Sequence, residues 1–133
     1  MANALYTKGK EAILDGSIDL ESDTIKCVLV DSADYTPNLS THDNLDDVPS
    51  GARVGTAQTL GSKSFTAGVF DASDVTLTSV TGDPSEYILI YKDSGVESSS
   101  RLLALFDTAT GLPVTPNGGN ITITWNASGI FSL

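Results

Sequence analysis

The sequence predicts a mainly β domain, an antiparallel β-sandwich or barrel-like fold with one short N-terminal α-helix. Three observations lead there. The chain has 133 residues, enough for one core but not for separate cofactor and substrate lobes. Beyond residue 51, short apolar or alternating runs recur between turn signals at the spacing of sandwiches and barrels. Helical periodicity is confined to one stretch near the start. Residues 1–133 are therefore expected to form a single β-sandwich domain, with residues 1–16 as an N-terminal arm and helix and residues 31–51 as a long surface loop.

The helix is expected over residues 3–15, where Leu5, Ala12 and Ile13 recur near helical spacing between Asn3, a candidate N-cap, and the stop Asp15-Gly16. Gly9 in its middle costs ~1 kcal/mol relative to alanine, so the helix needs a packing partner, either its own sheet or a neighbouring subunit. Residues 25–30 crowd apolar and β-branched side chains onto both faces, as in a strand buried between layers. This places Cys27 on the face shared with Ile25 and Leu29.

Residues 31–51 carry Pro37, Pro49 and several aspartates, with a helical turn expected at 41–47 and Leu39, Leu45 and Val48 as apolar docking points. Strands are then expected at 53–60, 63–69, 75–80, 87–92, 101–106, 121–125 and from 130 onward. Gly82-Asp83-Pro84, Asp93-Ser94-Gly95, Gly111-Leu112-Pro113 and Asn117-Gly118-Gly119-Asn120 supply the reversals. Alternation sends Ile121, Ile123 and Trp125 inward and leaves Thr122 and Thr124 in water; Val75, Leu77 and Ser79 repeat that pattern. The continuous apolar runs at 87–91 and 102–106 mark the two central strands.

Composition narrows the chemistry. Seventeen acidic against seven basic side chains give a net charge of -10, which repels phosphate backbones and anionic lipids, so neither nucleic acid nor membrane is an expected partner. One cysteine and one histidine leave no disulfide framework and none of the usual zinc constellations. Residues 1–13 lack the apolar core of a secretion signal, which points to the cytoplasm of the producing cell.

His42 beside Asp43 has no Gly-x-Ser-x-Gly nucleophile to serve and reads as an exposed loop histidine. Cys27 reads as a buried core residue. Asp43, Asp46 and Asp47, or Asp71 and Asp74, offer hard oxygen ligands, but neither stretch has the twelve-residue calcium-loop pattern, so solvated acids are expected. No spacing rule joins any two of Glu11, Glu21, Glu86 and Glu97 into a glycosidase pair. The aromatic residues are scattered singly and offer no stacking platform. The expectation is a non-enzymatic domain with no catalytic residue, no cofactor and no metal.

The opening Ala4-Leu5-Tyr6-Thr7-Lys8-Gly9-Lys10-Glu11, the strand Asp23-Thr24-Ile25-Lys26-Cys27-Val28-Leu29-Val30-Asp31, and the pairs Tyr35-Thr36 and Thr41-His42 form the first part of an ordered set. Gly51-Ala52-Arg53-Val54, Gly68-Val69-Phe70-Asp71-Ala72, Ile90-Tyr91-Lys92-Asp93, Thr110-Gly111-Leu112-Pro113-Val114 and Gly118-Gly119-Asn120-Ile121-Thr122-Ile123-Thr124-Trp125 complete it. Over nearly the whole chain this set resembles a family of small tailed-bacteriophage structural proteins. The resemblance implies a virion component made in the bacterial host cytoplasm, most like a decoration or cement protein on the capsid exterior. Its implied partners are the major capsid protein and further copies of the chain in a homotrimer. The alternative is a tail, neck or host-adhesion accessory protein. Interface candidates are Leu5 and Tyr6 in the arm that starts at Ala2, Leu39, Leu45 and Val48 in the long loop, Leu112 and Val114, and Phe131 and Leu133 in the apolar end.

Overall fold

The computed structural model describes residues 3–109 and 111–133; Met1, Ala2 and Thr110 lie outside them. In chain order the elements are β1 (Ala4–Leu5), α1 (Thr7–Leu14), β2 (Ile25–Val30), β3 (Arg53–Thr59), β4 (Ser64–Thr66), β5 (Val69–Asp71), β6 (Val75–Leu77), β7 (Tyr87–Lys92), β8 (Leu102–Phe106), β9 (Ile121–Ile123) and β10 (Phe131–Ser132). The strand pairings are antiparallel. They form a five-stranded sheet in the order β1-β8-β7-β2-β3, a three-stranded sheet β10-β5-β4 and a two-stranded sheet β6-β9.

The fold is mainly β and sandwich-like, as the sequence predicts. β7 is the middle strand of the large sheet and β8 lies beside it, where the continuous apolar runs required cover on both faces. One face packs Ile25, Cys27, Leu29, Ile88, Ile90 and Leu103 with Ala12 of α1 and with Phe70, Leu77 and Ile123 of the smaller sheets. The other packs Val28, Val30, Leu89, Leu102 and Leu105 with Tyr6 and with Tyr35, Leu45, Val48 and Ala52. Among the described residues no helix is long and apolar enough to cross a membrane.

Several expectations are corrected, some by contacts distant in sequence and some by local backbone angles. Ala4 and Leu5 pair with Leu105 and Ala104, and the Tyr6 N–H donates to Leu103 O at 2.8 Å, so the chain is still extended where a helix was expected. Tyr6, not Asn3, precedes the helix, and it makes no side-chain cap. Asn3 Oδ1 instead accepts the N–H groups of Asp107 and Thr108 at 2.8 and 2.9 Å, clamping the arm to the end of β8.

Residues 31–51 form the expected surface loop, docked through Leu39, Leu45 and Val48, but more tightly than a loop resting on the sheet. Leu102 N–H donates to Asp43 O at 3.0 Å and Leu45 N–H to Ser100 O at 2.8 Å, so the segment runs along the outer edge of β8 beyond β1 and drops its apolar side chains into the core. The expected turn at 41–47 shrinks to a 3₁₀ turn at Leu45–Asp47. The single strand expected at 63–69 is a hairpin, with Ala67 and Gly68 at φ +56° and +75° forming the left-handed two-residue turn between β4 and β5. Ser79 is exposed with φ +51°, outside the inward alternation of Val75 and Leu77.

The adjoining ends of β2 and β7 are tied by charge. Lys26 Nζ lies 3.0 Å from Asp93 Oδ2, and Asp93 Oδ1 accepts the Gly95 N–H at 3.0 Å. The Gly95 amide, and then Lys26, hold the Asp93 carboxyl below its ordinary value of 3.8. A carboxylate whose folded-state pKa is depressed adds stability above its unfolded value and loses it as pH falls through the folded one. We expect Asp93→Asn to cost about 0.5–1 kcal/mol at neutral pH, as partly exposed ion pairs do. The gap from wild type should then close below about pH 3.8 in thermal melts; a gap constant down to about pH 2.5 would contradict this role.

Candidate functional site

The groups with reactive chemistry are spent inside the fold. Cys27 is buried and its thiol is pushed up to about 12 by burial, so almost no thiolate exists at neutral pH. His42 is half-buried, not an exposed loop residue: its Nδ1 accepts the Asn38 N–H at 3.2 Å and lies 2.8 Å from Tyr35 Oη. Tyr35 Oη is in turn 2.8 Å from Tyr6 Oη. Burial, and then the bond to Tyr35, drive the Tyr6 phenol far above its ordinary range. The three side chains form a hydrogen-bonded row that fastens the 31–51 segment to the start of α1. No sequence spacing announces it.

Several of the acidic groups are likewise engaged. Asp43, Asp46 and Asp47 do converge to within 4.8 Å. However, Asp47 Oδ2 accepts the Asp43 N–H at 2.8 Å and Asp43 faces Arg101 at 3.6 Å. Burial works to raise the Asp47 pKa, but the N–H donors of Asp43 and Asn44 and the neighbouring His42 outweigh it and leave it lowered. That is the signature of a carboxylate closing a turn. Asp74 Oδ1 accepts the Trp125 N–H and Asp71 Oδ1 the Ala72 N–H, both at 2.9 Å.

A third group, Asp31, Asp34 and Asp83, comes together from two loops that no sequence pattern connects. It borders an open depression of about 450 Å³ with Glu86. Asp31 Oδ1 accepts the Ala33 N–H at 2.9 Å, and Glu86 Oε1 takes both the N–H and the hydroxyl of Ser32.

The interface candidates divide. Tyr6 and Val48 are fully buried and Leu45 nearly so; these three are core residues and not contacts, because the arm that carries Tyr6 and the loop that carries Leu45 and Val48 both bond to the β8 edge. Leu5 and Leu39 are half-buried against the two core clusters, and the Leu39 carbonyl accepts the Thr7 N–H at 2.8 Å. Leu112 and Val114 line a cleft of about 240 Å³ over Leu29, Ile88, Ile121 and Ile123. Phe131 and Leu133 line a groove of about 200 Å³ with Leu20, Phe65, Val69 and Phe70. A further cleft beside Trp125 holds about 120 Å³. These three apolar or mixed clefts fall below the ~300 Å³ at which small-molecule pockets usually begin.

The groove is the most apolar of the clefts. Phe65, Phe70 and Phe131 stand in a row with ring centroids 5.6 and 5.1 Å apart, within the range of favourable aromatic pairs. Phe65 is 42% exposed and Leu133 68%. Sequence reasoning found Phe131 and Leu133 but missed Phe65 and Leu20. Reading Ala67-Gly68 as a turn would have set Phe65 opposite Phe70. No known protein-family model and no curated protein matches this chain.

Proposed function

We propose that this chain is a bacteriophage virion structural protein, a decoration or cement protein that binds the outer surface of the capsid against the major capsid protein and stabilises the shell. The phage assignment rests on the sequence resemblance. The observation that carries the adhesive role is the contrast between spent reactive groups and free apolar ones: thiol, imidazole and phenols are tied up internally, whereas Phe65 and Leu133 stand exposed beside an apolar groove. An apolar strip beside clefts too small for most ligands suits a protein surface. Many copies, each binding the folded shell and not its unfolded subunits, raise shell stability by mass action even at modest affinity. The test adds purified protein to shells assembled without it. Saturable binding in fixed ratio to the major capsid protein, with a higher disruption temperature, is expected. No binding, or binding at the tail alone, overturns the reading.

A further inference from the structure

We infer that two copies of this chain pair through the open edge of β4, joining their three-stranded sheets into one continuous sheet across a two-fold axis. This stands whether or not the shell is the partner proposed above.

Backbone geometry comes first. β4 is the outermost strand of the sheet β10-β5-β4. The Phe70 carbonyl accepts the Ile130 N–H at 2.7 Å, so the backbone groups of Phe70 face β10. In an antiparallel pair, residues that exchange hydrogen bonds alternate with residues that do not. Phe65 lies opposite Phe70 and is therefore a non-bonded partner, with its own N–H and C=O aimed at the open side. Among the described residues, no backbone bond outside the strands reaches Ser64, Phe65 or Thr66. A dyad beside Phe65 lets each copy's Phe65 N–H reach the other's Phe65 C=O. One residue supplies both donor and acceptor, so the edge is complementary to itself.

Charge then selects the occupant. At a net charge of -10, two copies repel across most of their surfaces. None of the seventeen acidic residues falls between positions 48 and 70 or beyond Asp107. β4 and β10 thus carry no charge, and β5 carries only Asp71, its last residue. Neighbouring Lys63, which would blunt the edge, is drawn away to the Asp23 carbonyl at 2.7 Å. Of the usual protections of an edge strand, β4 keeps only its short length and has neither a charge nor a proline. A two-fold contact closes at two copies, in place of the trimer that the sequence resemblance implies. The strand is three residues long, so the interface lies below the ~1,200 Å² of stable complexes and the pairing is concentration-dependent.

The register is testable, because antiparallel pairing about Phe65 puts Ser64 of one copy directly opposite Thr66 of the other. Both side chains are exposed, so their replacement spares the fold. Sedimentation equilibrium from about 10 μM to 1 mM, a range suited to weak pairing, should show the mass rising from 13.8 kDa toward twice that value. Amide exchange at Phe65 should slow over the same range. Ser64→Lys with Thr66→Lys sets like charges opposite each other and should weaken pairing more than tenfold. Ser64→Lys with Thr66→Glu, which keeps the same lysine opposite Asp71 of its own chain, sets opposite charges across the dyad and should restore it in low salt. A monomer throughout, a trimer, a Phe65 amide whose exchange ignores concentration, or equal behaviour of the two double variants overturns the inference.

Discussion

Gly9→Ala is expected to destabilise the protein by about 3 kcal/mol, although alanine is the better helix former by about 1 kcal/mol. An added Cβ at Gly9 would sit 2.5 Å from Leu102 O and 3.0 Å from Leu103 Cα. Both are backbone atoms of β8, a strand in which every residue is buried and which is held by β7 on one side and β1 on the other. Neither atom can retreat without displacing a neighbouring strand, so the helix must lift and surrender the packing of Ala12 and Ile13. Urea denaturation would measure the loss. A variant more stable than wild type would mean that α1 does not sit on β8 as described.

Val48→Asp is expected to be the most damaging single change outside the strands, costing about 4 kcal/mol or more. Val48 is fully buried among Val30, Leu89, Leu102 and Leu105, and a carboxylate forced into that apolar cluster loses its hydration, with the Arg53 guanidinium already engaged at the Val48 carbonyl, 3.2 Å away. With total stability in the usual range of about 5–15 kcal/mol, most of the protein's margin would go. Leu133→Asp, at a side chain 68% exposed, should change stability by less than about 0.5 kcal/mol. Near-UV circular dichroism and chemical denaturation on the pair separate core from surface. Equal effects would contradict the burial of Val48.

The comparison of Val48 with Leu133 also marks where sequence patterns stop being informative. Both are apolar residues outside the regular strands, and the sequence offers both as outward contacts. What separates them is the pairing of Asp43 and Leu45 with Leu102 and Ser100, bonds between segments more than fifty positions apart. The strands at 25–30 and 87–92 were legible to the residue, since burial on both faces writes itself locally as a nearly continuous apolar run, broken only by Lys26 and ended by Lys92. The hairpin at Ala67 was hidden because alanine seldom takes a left-handed angle. Gly9 looked like a weakness of its helix, and only the approach to β8 shows why a side chain is absent there. Of the groove, the half contributed by the last strand was visible as an apolar end; the half contributed by Phe65 depended on the hidden turn.

The 31–51 segment has one more consequence. It bonds Ser100 and Leu102 at the start of β8, where the cover given by β1 to Ala104 and Leu105 has ended, and Leu102–Phe106 is an all-apolar stretch of the kind that stacks into amyloid when its backbone is bare. A protease nick in that segment would therefore do more than cost stability. It would open the leading part of that edge, and the cleaved molecules should aggregate faster than intact ones.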